Sequence, residues 1–189
     1  MRCNNSFEEN LVELPNNWPG KCFGCSTKNE YGLHLKVLMS ENGCISYTRV
    51  PEKFCGFDGI VHGGIIATLL DEISAWTLIV HMKKLCITQE AKIKYYRPVL
   101  VNSAISVEGK IKERSEHEVK TISYIKNIKG NLLAESESQW TIPDLETLAK
   151  ITRNDIGIIT NMYNRFIEPI ELIQKRGVKD EPWILKQKY

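Results

Sequence analysis

Residues 64–82, GIIATLLDEISAWTLIVHM, constrain the fold more than any other stretch of this chain. Ile65, Ile66, Leu69, Leu70, Ile73, Trp76 and Val80 recur at helical spacing and form one broad apolar face. The opposite face is not a charged surface: it offers Gly64, Ala67, Thr68, Asp71, Ser74, Ala75 and Leu78. A helix whose only charges are Asp71 and Glu72 has to be enclosed on most sides. Its small residues let another backbone come close. Two oddities need a reason: Asp71 stands where a core-facing helix wants leucine, and Gly63 and Gly64 stand where the helix begins.

What flanks the helix tells how it is enclosed. GLHLKVLM (32–39) alternates and suits a strand, Asn42-Gly43 is a hairpin signal, and CISYTRV (44–50) reads as the returning strand. Residues 51–61 read as a glycine-containing loop. After the helix come four strand-like runs, 86–99, 103–113, 118–127 and 132–142, with a Lys-Gly-Asn turn at 129–131. A hairpin, one enclosed helix and an antiparallel meander predict an α+β fold with the sheet wrapped around that helix. Beyond 143 the character changes, with helix-like stretches around 144–153 and 155–175 before a charged tail. The expected organisation is a polar N-terminal segment 1–17, a main domain 18–142 reached through the turn Trp18-Pro19-Gly20, and a helical extension 143–189. A lid, a dimer-stabilising arm and a surface appendage all fit that extension.

Composition narrows the function classes. The 189 residues, 42% hydrophobic and 25% charged, suit one soluble domain with a short appendage. The formal net charge is +2 with basic and acidic residues interleaved, so no nucleic acid partner is expected. The most apolar run, 73–82, is half the ~20 residues a bilayer requires, so no membrane partner is expected either. Six cysteines without an apolar secretory leader point to reduced thiols and a cytoplasmic protein.

Three motifs now come together. His62-Gly63-Gly64 is followed by an acid at Asp71; CFGCSTKNEYGLHL (22–35) precedes it; ITQEAKIKYYRPV (87–99) follows. In this order and spacing, over roughly residues 18–142, they resemble hotdog-fold acyl-CoA thioesterases of the phenylacetate-degradation (PaaI-like) branch. The extension lies outside the resemblance. It implies a hotdog fold, an acyl-CoA substrate, no cofactor, and a homodimer or dimer of dimers. It also assigns the polarising amide to the position of Gly63 and the general base or nucleophile to Asp71. His62 is given a supporting role at the helix entrance, and Thr88 a hydroxyl that holds the carboxylate or water.

Thioester hydrolysis needs a polarised carbonyl and a delivered nucleophile. Backbone N–H groups at a helix N-terminus suit the first task, and glycines let substrate reach them. A carboxylate suits the second. Gly63 and Asp71 are eight positions apart, ~12 Å along one helix axis. They cannot both reach one scissile bond unless the site is distorted or shared by two chains. The expectation is a homodimer with two composite sites.

Plainer readings stand beside these. A carboxylate on an enclosed helix can be a paired structural group, and a lone His62 is more often a hydrogen-bonded loop residue than a catalyst. Thr88 can owe its place to β-propensity. Glu72 points about 100° away from Asp71 and is not expected in the site. Several branches of the family carry an asparagine before the HGG; here Phe57 and Asp58 stand in that neighbourhood, as substrate contacts or a simple turn. Phe54, Phe57 and Trp76 are candidate acyl-channel linings, or plain core. Cys22-x-x-Cys25 invites a zinc or redox reading, yet no second such pair or histidine pair follows, so no metal is expected. Those cysteines read as a loop beside the acyl site, with Asn29 and Gly32 shaping its turn and Asn29 and Gly64 added as substrate contacts. The rival function is a non-catalytic acyl-CoA-binding hotdog module.

Overall fold

The computed structural model describes residues 11–15, 20–115 and 118–176. Most of the expected N-terminal segment 1–17, Trp18 and Pro19 of the expected turn, and the charged tail beyond 176 lie outside the described residues. The long helix, α1, runs Gly63–Met82 and ends where Lys83 adopts a left-handed conformation, its N–H bonded to Ile79 O. Strands β1 (Val12–Glu13), β2 (Leu38–Ser40) and β3 (Gly43–Arg49) precede it. So does the small hairpin of β4 (Cys55–Phe57) and β5 (Ile60–Val61), entered by a 3-10 turn at Glu52–Phe54. Strands β6 (Ile87–Tyr95), β7 (Ala104–Arg114), β8 (Glu118–Asn127) and β9 (Leu132–Thr141) follow. Seven strands form one antiparallel sheet in the order β1-β2-β3-β7-β8-β9-β6. The sheet wraps α1 as the sequence pattern requires, and this is the hotdog arrangement.

Enclosure is as complete as the two-charge helix predicts. Leu70, Ile73, Leu78 and Val80 are 0% exposed, and they meet strand residues such as Val107, Ile125 and Trp140 in the core. β7 presses directly on α1: a Cβ at Gly109 would lie 2.6 Å from Thr77 Oγ1 and 2.8 Å from Ile73 O. Only a residue without a side chain allows that approach. By length and composition alone α1 could cross a membrane, contrary to the expectation that no segment qualifies. More than half of that stretch is buried inside this same chain, which is what a core helix looks like.

Three local expectations change. Residues 32–37 do not form the predicted strand; only Leu38–Ser40 does. His34 takes a left-handed φ of 51°, and Leu33 N and Leu35 N bond to Phe23 O and Gly24 O, so this segment is tied to the loop before it. Its alternation survives because Leu35 and Val37 still enter the core. The hairpin turn has Glu41 and Asn42 at its tip, with Gly43 paired to Ser40 inside the ladder. Gly43 is there for close approach, since a Cβ would run into the Gly109 carbonyl. Third, 51–61 is not a plain loop but the β4–β5 hairpin, turned at Gly59 with φ 78°.

The C-terminal helices are α2 (Leu145–Thr152), capped by Asp144 accepting from Thr147 N, and α3 (Ile156–Arg176), with Pro169 inside it. They do not stand off as a surface appendage. Ile159, Phe166, Ile167 and Ile170 join the main core, and the Phe166 ring lies 4.9 Å from that of Trp76. Tyr163 Oη donates to Lys83 O at 2.6 Å, and Gln174 Nε2 to Val80 O at 3.2 Å. These bonds satisfy carbonyls at the end of α1 that its own ladder leaves open.

Candidate active site

The start of α1 is fixed by His62. Its backbone is extended, its N–H bonds to Phe54 O at 2.9 Å, and its Nδ1 accepts from Gly64 N at 2.9 Å. That cap requires Nδ1 to be the unprotonated ring nitrogen. Ile65 N and Ile66 N both turn to His62 O. Of the first amides, only that of Gly63 has no partner among the described residues. An open N–H at the positive end of a twenty-residue helix is a ready donor to a developing oxyanion. Gly64, expected as a second open amide, is occupied by the cap. Tyr95, near the end of β6, donates through its hydroxyl to Gly63 O at 3.1 Å and so fixes that peptide.

Asp71 lies two turns further along α1 and faces the other end of β6. Thr88 Oγ1 donates to Asp71 Oδ1 at 2.8 Å. A β-bulge follows directly, because the β6–β9 register shifts between Thr88 and Glu90. Burial pushes the Asp71 carboxyl above its ordinary value, while the Thr88 bond opposes that rise. Among the described residues no lysine, arginine or histidine forms an ion pair with Asp71. A half-buried carboxylate held by one hydroxyl is poised to accept a proton or attack a carbonyl.

The remaining residues named from the sequence are dispersed. Phe57 and Asp58 sit at the tip of the β4–β5 hairpin, with Phe57 81% exposed, and contact neither Gly63 nor Asp71 through any hydrogen bond. Asn29 is committed to its own loop: Oδ1 accepts from Tyr31 N and Nδ2 donates to Lys21 O, at 3.1 and 3.2 Å. Phe54 packs edge-on against Phe23. Trp76 does line a cavity, of about 300 Å³, between α1 and the C-terminal helices.

That cavity holds the Cys-x-x-Cys pair and the second acid of α1. Cys22, Cys25 and Glu72 meet at its wall, with Cys22 Sγ 3.3 Å from Glu72 Oε2 and Trp76 Nε1 donating to Glu72 Oε1 at 3.1 Å. Burial pushes Glu72 up to about 7. The neighbouring Cys25 thiol draws Cys22 down to about 5, and Cys25 is itself raised by that sharing. The signal was present as Glu72-x-x-x-Trp76, one turn apart on the same face, which aims a carboxylate and its donor together.

With this geometry in place, residues 58–121 match the family model described as Thioesterase superfamily. A Saccharolobus solfataricus protein named as an esterase is 28% identical over 123 residues, covering 62% of this chain and 85% of its own. The Escherichia coli PaaI protein from the phenylacetic acid degradation operon superposes with a TM-score of 0.55 at 13% identity, covering 59% of this chain and 81% of that one. A Streptococcus mutans protein bound to acetyl CoA does so with a TM-score of 0.54 at 21% identity, covering 58% and 88%. The fold is the one these solved structures share, and residues 58–121 carry the likeness to the thioesterase superfamily that the motifs suggest.

Proposed function

We propose that this chain hydrolyses acyl-CoA thioesters to free acid and CoA, as a homodimer with two composite sites. The observation that carries the reading is the pairing of one open amide, Gly63, with one half-buried carboxylate, Asp71, that has no cation partner among the described residues, on the same enclosed helix. The Gly63 N–H would bind the thioester oxygen as it gains charge; Asp71 would either take a proton from the attacking water or attack the carbonyl itself, breaking the C–S bond, releasing the CoA thiolate and leaving an anhydride that water then hydrolyses to the free acid. The acetyl CoA bound by the Streptococcus mutans neighbour supports CoA as the thiol half of the substrate.

Support for the dimer comes from β6. It is an edge strand of the sheet, the long one, and most of its side chains are exposed. Thr88 at its start is bonded to Asp71, and Tyr95 at its end is bonded to Gly63. Antiparallel pairing of two β6 strands about a two-fold axis would set the Thr88 end of one chain beside the Tyr95 end of the other. Each Asp71 would then face the open amide of its partner, which the ~12 Å separation forbids within one chain.

The test is a panel of acyl-CoA thioesters monitored for free thiol, with Asp71→Asn beside wild type. Turnover by wild type that Asp71→Asn loses while keeping its fold supports the reading. Tight acyl-CoA binding without any thiol release by wild type would instead establish a binding module.

A further inference from the structure

Cys22 and Cys25 belong to one loop and Glu72 to α1, fifty positions from Cys22, and one ligand atom of each lies within 4.8 Å of the other two. The chain builds this convergence deliberately. Ser26 N bonds to Cys22 O at 3.1 Å and Ser26 Oγ to Gly20 O at 2.7 Å, closing a tight loop around the two cysteines. Gly24 lies against the Glu72 side chain, and a Cβ there would push that carboxylate out of its present place. Leu33 N and Leu35 N then stitch the next segment onto this loop. The far oxygen of Glu72 is oriented by Trp76 Nε1. The loop's own backbone bonds and the Trp76 bond to Glu72 thereby hold the three side chains together through groups that are not themselves ligands, as around metal-binding side chains.

Charge supplies the second argument. Three acidic groups share a partly buried corner, and among the described residues no lysine, arginine or histidine forms an ion pair with Glu72. Keeping a carboxylate and two thiolates ionised in such a corner is costly unless a cation neutralises them. We propose that Cys22, Cys25 and Glu72 bind a zinc-class dication, with the fourth coordination position open toward the cavity between α1, α2 and α3. Two thiolates select a borderline-soft ion over magnesium or calcium, and three protein ligands with one open position is an accepted zinc arrangement. Binding displaces the protons held by the thiols and the carboxyl group into solvent, and no electron is transferred. The absence of a second Cys-x-x-Cys does not count against the site, because Glu72 provides the third donor from α1. The dication would clamp the 20–35 segment onto α1 beside Asp71. This inference stands independently of the thioesterase reading.

The experiment is metal analysis of the full chain purified without chelator, followed by chelation and titration with Co²⁺. About one zinc per chain is expected, together with a thiolate-to-cobalt charge-transfer band on titration. Cys22→Ser and Cys25→Ser should each lose the band, and Glu72→Gln should weaken Co²⁺ binding by about tenfold or more. Where a serine variant fails to fold, wild type decides: metal should protect Cys22 and Cys25 from alkylation, and chelator should expose them. A metal-free protein that gives no band, a band that persists in folded Cys22→Ser, or a Cys22–Cys25 disulfide in the native protein would each overturn the proposal.

Discussion

Thr88→Val removes one hydroxyl and keeps the β-branched shape that β6 wants. In wild type the Thr88 hydroxyl donates at 2.8 Å to Asp71 Oδ1 and favours the ionised carboxylate, against the burial that raises its proton affinity. A hydrogen bond to a charged group contributes about 1.5–3 kcal/mol, and partial solvent access at Asp71 argues for the lower end, about 1.5 kcal/mol. That is close to a tenfold change in proton affinity, or about one pH unit. If Asp71 is the base or nucleophile, the acid limb of the kcat/KM profile for thioester hydrolysis should move upward by about one unit. The rate well above the acid limb, where the carboxylate is ionised in both proteins, should change far less than the rate on the limb itself. The sign also reaches stability. An acid whose folded proton affinity is raised binds more protons folded than unfolded, so its destabilising effect grows as pH rises from near 3.8 through the folded value. Thr88→Val should therefore lose stability relative to wild type at pH 8 and match it at pH 3.5. An acid limb that stays in place in a folded Thr88→Val would show that Asp71 is not the titrating group in the chemistry.

Gly63→Ala should fold normally, since the nearest atom to its new Cβ is 3.8 Å away, yet lose about tenfold in kcat/KM by crowding the open amide. Gly64→Ala places a Cβ 3.1 Å from His62 Nδ1 and should cost about 1 kcal/mol in urea unfolding by disturbing the cap. Thr121→Val leaves the buried Trp140 Nε1, now bonded to Thr121 Oγ1 at 2.8 Å, without an acceptor; denaturant melts should show a loss of about 2 kcal/mol. Sedimentation equilibrium should return twice the 21.7 kDa chain mass. Co-refolding inactive Asp71→Asn with inactive Gly63→Val should restore about a quarter of wild-type activity, because half of the dimers then carry one intact composite site. No recovery in verified mixed dimers would place both groups of each site on a single chain.

Sequence made α1, the four strands after it and both C-terminal helices legible, because long periodic segments state their own period. It failed where short segments are governed by distant contacts. Residues 32–37 alternate like a strand yet bond to the Cys22–Cys25 loop, and nothing local in GLHLKV reports that loop's position. Gly43 looked like a turn residue and is a close-approach residue, since its constraint comes from Gly109, sixty-six positions away. In the candidate site, the residues themselves named Gly63 and Asp71, and the family resemblance added His62 and Thr88. It could not show that the His62 ring consumes the Gly64 amide, because the rotamer of a cap is set by the fold around it. Glu72 was set aside for pointing away from Asp71, which it does, toward a cavity that exists only once α3 has packed.

The adjacent acids of α1 are best understood through the seams of its sheath. A helix surrounded by its own sheet can bear a charge only where that sheath is interrupted. α1 meets two such interruptions: one along β6, the sheet edge, and one along the C-terminal helices. Neighbouring helix positions differ by about 100°, so a consecutive pair of acids can serve two seams at once. Asp71 takes the first and bonds to Thr88, whereas Glu72 takes the second and bonds to Trp76. Exchanging their order, Asp71→Glu with Glu72→Asp, keeps charge and composition yet mismatches both seams. The longer acid would crowd Thr88, and the shorter would fall short of both Trp76 Nε1 and the Cys22 sulfur. The double swap should therefore impair thioester turnover and Co²⁺ binding together, while each single conservative swap impairs one. Equal effects of either single swap on both readouts would mean that the two seams are a single site.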